Sequence, residues 1–154
     1  MAKEPFSRQR GWDLYLYSAF KQPYDTLVAE IDQLAKENPK EYACHAKAKL
    51  LKRINEIILD EVPSNPGNPL YRQGNTLGAH YKDWFHVKFL GRFRLFFKYN
   101  TKAKLIIYCW VNDETTLRKT GAETDPYKIF AKMIKSGRPP NSWADLEISV
   151  LGEK

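Results

Sequence analysis

The chain has 154 residues, 43% of them hydrophobic and 14% aromatic, with a formal net charge of +7. A chain of this length can bury about 70% of its unfolded surface, which supports a single folded domain over 1–154 and excludes a disordered polymer. The positive balance favours an anionic partner, such as nucleic acid or a membrane surface, and says nothing of fold.

Cys44 falls in a helical pattern and Cys109 in an apolar strand, so both are expected to be buried thiols. No disulfide framework or CxxC pair is visible, as suits a reducing compartment. The opening MAKEPFSRQRGW has charge but no apolar signal region. The run LIIYCWV at 105–111 is far too short to span a bilayer. A cytoplasmic protein without a membrane partner is expected.

In chain order, GWDLYLY (11–17) reads as a first strand, with Trp12, Leu14 and Leu16 on one face. A helix follows, marked by Tyr24, Leu27, Val28, Ile31, Leu34 and Ala35. A second helix is expected to start at Asn38-Pro39, with Glu41 completing a capping box. Its buried stripe is Ala43, Ala46, Leu50, Ile54, Ile57 and Ile58, ending near Val62-Pro63. The two helices make an αα-hairpin. Residues 63–78 hold three prolines and three glycines and read as an ordered loop, anchored by Leu70, Tyr71 and Leu77.

Three strands are expected at roughly 84–90, 92–100 and 104–112. The last is apolar on both faces, Leu105, Ile107 and Cys109 on one and Ile106, Tyr108 and Trp110 on the other, the mark of a doubly covered central strand. Asp125 then caps a helix with Pro126 at its first position and Gly137 at its end. The segment RPPNSWADLEISVLGEK reads as a turn, a Trp143 anchor and a short frayed tail. The fold class is α+β: a helical hairpin packed on a small twisted, mostly antiparallel sheet.

The chemistry concentrates in WFHVKFLGRFRLFF (84–97). Alternation places Phe85, Val87 and Phe89 on one face of the first arm, and Trp84, His86 and Lys88 on the other. In the second arm Phe93, Leu95, Phe97 and Tyr99 oppose Arg92, Arg94 and Lys98, and a turn at Gly91 brings both polar sets to one side. From Lys82 to Lys104 there are seven Lys/Arg and one acid, Asp83. Lysine and arginine can simply keep a solvent face soluble. Yet like charges opposite each other on paired strands cost stability, and a merely solvated face usually mixes signs. Cations beside Trp84, Phe96 and Tyr108 suit a phosphate backbone with stacked bases. Lys82, Trp84, Arg92, Lys98 and His80, the last in the loop GAHYKDW, form the candidate RNA-binding set.

Metal-free RNA cleavage needs a base for the ribose 2′-OH, cations for the pentavalent phosphate and an acid for the leaving oxygen. His86 suits proton transfer, and neighbouring cations should favour its neutral form. Arg92 and Arg94 supply charge to hold the phosphate, and Lys88 suits either job. Asp113 and Glu114 follow a strand and read as a capped turn rather than a metal site. Cys44-His45 has the wrong spacing for zinc, and no phosphate-binding glycine loop is present. No metal or cofactor is expected.

The stretches KDWFHVKF, GRFRLFFKY, CWVNDETTLRKTG and TDPYKIFAKMIKSGRPPNSW, with GWDLYLYSAF and PYDTLVAEI, resemble the YhaV toxins of type II toxin–antitoxin systems, within the RelE-like superfamily of mRNA interferases. The resemblance covers nearly the whole chain. It implies a RelE-like fold and metal-independent cleavage of mRNA, associated with translating ribosomes, that inhibits translation and growth. It implies neutralisation by a cognate PrlF-type antitoxin with an AbrB-like domain. Carried over, His86 and Lys88 take the basic positions of the first strand, Arg94 the strand arginine, Arg118 the late arginine and Tyr127 the tyrosine, with Arg92 an added cation. His86 stands where some relatives have lysine, which leaves the identity of the base open. Tyr127 also fits a core position, spaced with Phe130 and Ile134. The alternative function is a non-catalytic RNA- or ribosome-binding module using the same face. A third is an interaction protein whose basic groove takes an acidic partner.

Overall fold

A computed structural model of the protein describes residues 3–152. Strands β1 (Ser7–Gln9) and β2 (Trp12–Leu16) form a hairpin whose turn residues Arg10 and Gly11 both have positive φ, 53° and 84°. That handedness matches the twist of the flanking strands, and glycine takes it at little cost. Helix α1 (Ser18–Glu37) and helix α2 (Ala46–Glu56) follow, the latter continuing through a π-helical stretch, Ile57–Glu61, into the single turn α3 (Val62–Ser64). After an irregular crossing come β3 (Phe85–Phe89), β4 (Phe93–Asn100) and β5 (Leu105–Val111). The chain ends in α4 (Pro126–Lys135) and α5 (Trp143–Leu151).

The strands form one mixed sheet in the order β1-β2-β5-β4-β3. Pairing is antiparallel except between β2 and β5, which run parallel. β5 is therefore central, as its two apolar faces require. Ile106 and Tyr108 join the core beneath α1 and α2, with Leu14, Phe20, Ile54 and Ile58. Leu105, Ile107 and Cys109 join a second core beneath α4 and α5, with Phe96, Phe130 and Leu146. The molecule thus has three layers, helix–sheet–helix.

Several expectations are corrected. The second helix does not start at Pro39. The Asn38 carbonyl accepts the N–H groups of Glu41 and Tyr42, a 3₁₀ turn spans Tyr42–Cys44, and His45 caps α2 by accepting the Lys47 N–H at Nδ1. Cys44 is consequently exposed rather than buried. Leu70 does not anchor its loop and is 80% exposed, whereas Leu77 is buried. Between Phe96 and Phe97 the β4–β5 register shifts, with Phe96 opposite Trp110 and Phe97 opposite Tyr108. The extra residue, Cys109, forms a bulge that turns Trp110 onto the Phe96 face, where it stacks at 6.0 Å.

The expected frayed tail is the helix α5. Ser142 caps it by accepting the Asp145 N–H, and Leu146 and Val150 are buried. Glu153 and Lys154 of that tail lie outside the described residues. Because α4 and α5 cover it, the sheet face that carries His86, Arg94 and Lys98 is not an open platform. All three are buried, at 3%, 8% and 4% exposure.

Candidate active site

The β3–β4 hairpin sets the register of the basic residues. Lys88 lies directly opposite Arg94, and His86 opposite Phe96, so the three basic side chains emerge on one side of the sheet. Asp125 starts α4 by accepting the Tyr127 N–H at Oδ2, which brings the phenol down onto this face.

The Tyr127 hydroxyl is the hub. It lies 2.7 Å from His86 Nδ1 and accepts a 3.1 Å hydrogen bond from Arg94 Nε. The Arg94 N–H can only donate, which leaves the phenol proton free for His86. With the imidazole proton on Nε2, Nδ1 accepts that proton; with it on Nδ1, the ring donates to the phenol oxygen instead. The Arg94 Nη1 group donates to the backbone oxygens of Gly91 and Phe93. Three of the five N–H groups of Arg94 are thus engaged, and the two on Nη2 face the remaining demand.

Arg118 approaches from the irregular segment after β5. Its guanidinium carbon sits 4.7 Å from the Tyr127 ring centroid, a cation–π contact, while Nη1 donates to Asp125 Oδ1 at 2.7 Å. The same Oδ1 accepts the Lys119 N–H. One buried carboxylate therefore orients both Arg118 and Tyr127. Arg92 Nε donates to the Arg118 carbonyl, tying the hairpin turn to this segment. Exposed Lys88 and Arg92 and half-buried Arg118 rim the buried trio of His86, Arg94 and Tyr127.

Burial pushes the His86 pKa down to about 4, helped by the charges of Lys88 and Arg94 and opposed by a hydrogen bond to the Arg72 backbone. The imidazole is neutral at neutral pH. Burial raises the Tyr127 phenol above its ordinary value, with Arg94 and Arg118 pulling against it.

The five proposed catalytic positions, His86, Lys88, Arg94, Arg118 and Tyr127, thus converge on one cluster. The question of core or site for Tyr127 has a double answer: its ring packs edge-on against Phe96 at 5.5 Å, and its hydroxyl serves the cluster. The proposed RNA-binding residues fare differently. Lys82 and His80 are exposed in the preceding loop, and Arg92 rims the cluster. Trp84 is wholly buried, edge-on to Phe130 at 5.0 Å, with its N–H donated to Asn141. Lys98 lies under the α4–α5 connection, 2.8 Å from Asp83 and 4.5 Å from the Trp84 ring. A base cannot stack on Trp84 without displacing α4, and Lys98 already has its anion. Both act as struts here.

Two organising residues escape the sequence reading as parts of the site. Asn112, 3% exposed, accepts the Arg94 N–H and donates to the carbonyls of Arg92 and Thr116, clamping β4 to the segment bearing Arg118. Asp125 is legible as a helix cap but not as the carboxylate partner of Arg118. Asp113 instead closes a turn, accepting from Thr115 N and Oγ1. Among the described residues, no three His, Cys, Asp or Glu side chains converge as metal ligands. Nor does any described helix have the length and apolarity to cross a membrane.

Comparison with known proteins bears on this geometry. The chain is 45% identical over 141 residues to the Ribonuclease toxin YhaV of Escherichia coli (strain K12), covering 90% of this chain and 92% of the relative. Toxin YhaV of Escherichia coli O157:H7 matches to the same extent. No solved structure matches. A family model described as a toxin with endonuclease activity, of a toxin–antitoxin system, matches residues 14–150, which includes every member of the cluster. The chain therefore belongs to the YhaV family of toxins.

Proposed function

We propose that this chain is an endoribonuclease toxin that cuts mRNA at the Tyr127 cluster. The observation that carries this reading is the chain of contacts His86–Tyr127–Arg94, flanked by Lys88, Arg92 and Arg118. It combines a neutral proton acceptor, a phenol and several cations around one point, the equipment for phosphodiester cleavage by an internal nucleophile.

In this mechanism the ribose 2′-oxygen attacks the neighbouring phosphorus. Its proton passes to the Tyr127 oxygen as the phenol proton moves to His86 Nδ1. Arg94 through Nη2, with Arg92 and Arg118, stabilises the doubly charged phosphorane. The P–O5′ bond then breaks, and Lys88 protonates the departing oxygen. The products are a 2′,3′-cyclic phosphate and a 5′-hydroxyl end. A docked phosphate opposes the cationic contribution to the lowered His86 pKa, which strengthens the imidazole as an acceptor when substrate is present.

The wider reading is a single RelE-like toxin domain over 1–154, acting in the cytoplasm on mRNA at translating ribosomes. A PrlF-type antitoxin with an AbrB-like domain is its proposed counterpart. Family membership and the α+β architecture support these finer assignments. One observation favours the competing reading, RNA binding without cleavage: His86, Tyr127 and Arg94 are only 3%, 4% and 8% exposed. That reading predicts salt-sensitive binding that leaves RNA intact.

The deciding experiment incubates the protein with mRNA, free and on translating ribosomes, in EDTA. New 5′-hydroxyl ends are expected. A strict requirement for added divalent metal overturns the mechanism, and intact RNA overturns the nuclease reading.

A further inference from the structure

Beside the cluster lies a hollow of about 390 Å³ that the mechanism above does not use. Arg118 and Tyr127 line one end of it. Its walls come from three segments: Thr76, Leu77 and Gly78 of the loop before β3, Gly121 and Ala122 of the loop before α4, and Lys128 and Ala131 of α4. Glycine and alanine at four of these positions leave a gap between surfaces that would otherwise pack, and the N–H groups of Gly78 and Ala122 are satisfied within their own loops, by Asn75 and Lys119.

The charges around the hollow are already matched. Arg118 is paired with Asp125 at 2.7 Å, and Lys128 at the rim with Glu123 at 2.6 Å. Lys88 and Arg92, without a carboxylate partner among the described residues, stand on the hairpin side of Tyr127 instead. A phosphate therefore has its favourable seat among the hairpin cations, and the hollow suits an uncharged group attached to it. The loop wall is built in advance: Ala122 N–H donates to the Lys119 carbonyl, Asp125 N–H to the Ala122 carbonyl, and Gly121 holds a φ of 85°.

We infer that this hollow is a nucleobase subsite, receiving the base next to the scissile phosphate and contributing to the choice of cleavage position. The inference rests on the nuclease reading. A flat heterocycle fits the hollow beside the Tyr127 ring, and Arg118 at the mouth connects base and phosphate. Ala122 and Ala131 are then specificity-determining positions.

The test fills the hollow with Ala122→Trp and confirms by circular dichroism and melting that the variant folds. RNA 5′ ends are mapped in cells expressing either form. Biased base usage beside the wild-type cuts, altered in the variant, is the expected result. Even usage in the wild type, or the same bias in a cutting variant, overturns the subsite. No new ends from the wild type overturns the nuclease reading itself, a separate outcome.

A second measurement does not need cleavage. A 2′-O-methyl oligonucleotide carrying the preferred cut site is compared with its abasic counterpart. Removing the base is expected to weaken wild-type binding about tenfold, the scale of one stacked base, and binding to Ala122→Trp by less than about twofold. Equal losses in both proteins overturn the inference, including where the variant is inactive.

Discussion

The Tyr127 hydroxyl joins the first turn of α4 to the edge strand β3 through a 2.7 Å contact with His86 Nδ1. Both residues are nearly sealed from solvent, so the contact is a built part of the molecule rather than a surface encounter. Removing the hydroxyl alone tests it. Tyr127→Phe keeps the ring against Phe96 and is expected to cost about 1 kcal/mol of stability. Cleavage should fall by about 10²–10⁴-fold, measured as the rate of appearance of 5′-hydroxyl ends. A rate within threefold, roughly the noise of a minor perturbation, removes Tyr127 from the proton path.

His86 gives a signed dependence on pH. Its pKa is about 4 in the folded chain and about 6.5 when unfolded, so the unfolded state binds the proton more readily. The His86 contribution to stability is complete above about pH 6.5 and is lost as pH falls toward 4. Urea midpoints taken across that range should decline more steeply for the wild type than for His86→Gln. Parallel curves contradict the depressed pKa.

Asp125→Asn keeps a helix cap at α4 but weakens the hold on Arg118 by removing the carboxylate charge. A misplaced Arg118 should cost about 10²-fold in turnover, with substrate affinity much less affected. A matched loss in affinity and none in turnover would mean Arg118 only binds RNA.

Trp84→Ala separates a stacking platform from a strut. With the indole fully buried between Lys98 and Phe130, the substitution is expected to destabilise the fold by about 3–5 kcal/mol, read from denaturant unfolding. An unfolding midpoint like the wild type's, with weakened RNA binding, would restore the stacking role.

Much of this arrangement is legible in the residues. The two apolar faces of Leu105–Val111 announce a central strand, and Asp125-Pro126 announces α4. The alternation around Gly91 places Lys88 beside Arg94. What is not legible is the second helical layer. Residues 143–151 follow two prolines and are short, so their Ser cap and the Leu146/Val150 spacing are easily read as an end of chain. Missing that layer turns buried Lys98 and Trp84 into apparent surface groups, because alternation shows which residues share a face but not what covers it. Arg118 sits in an irregular segment, where no periodicity locates a side chain; only the resemblance singles it out. The Cys109 bulge similarly breaks the simple alternation that would have placed Trp110 with Tyr108.

The strand order ties assembly of the cluster to the late part of synthesis. β2 pairs with β5, so the amino-terminal hairpin waits for its partner until residue 111 has been made, and Arg118 and Tyr127 follow later still. A nascent fragment stalled before that point carries His86 and Arg94 but no phenol between them and no covering helices. A chain stopped short of α4 thus lacks the assembled cluster, and under the proposed mechanism it leaves RNA uncut.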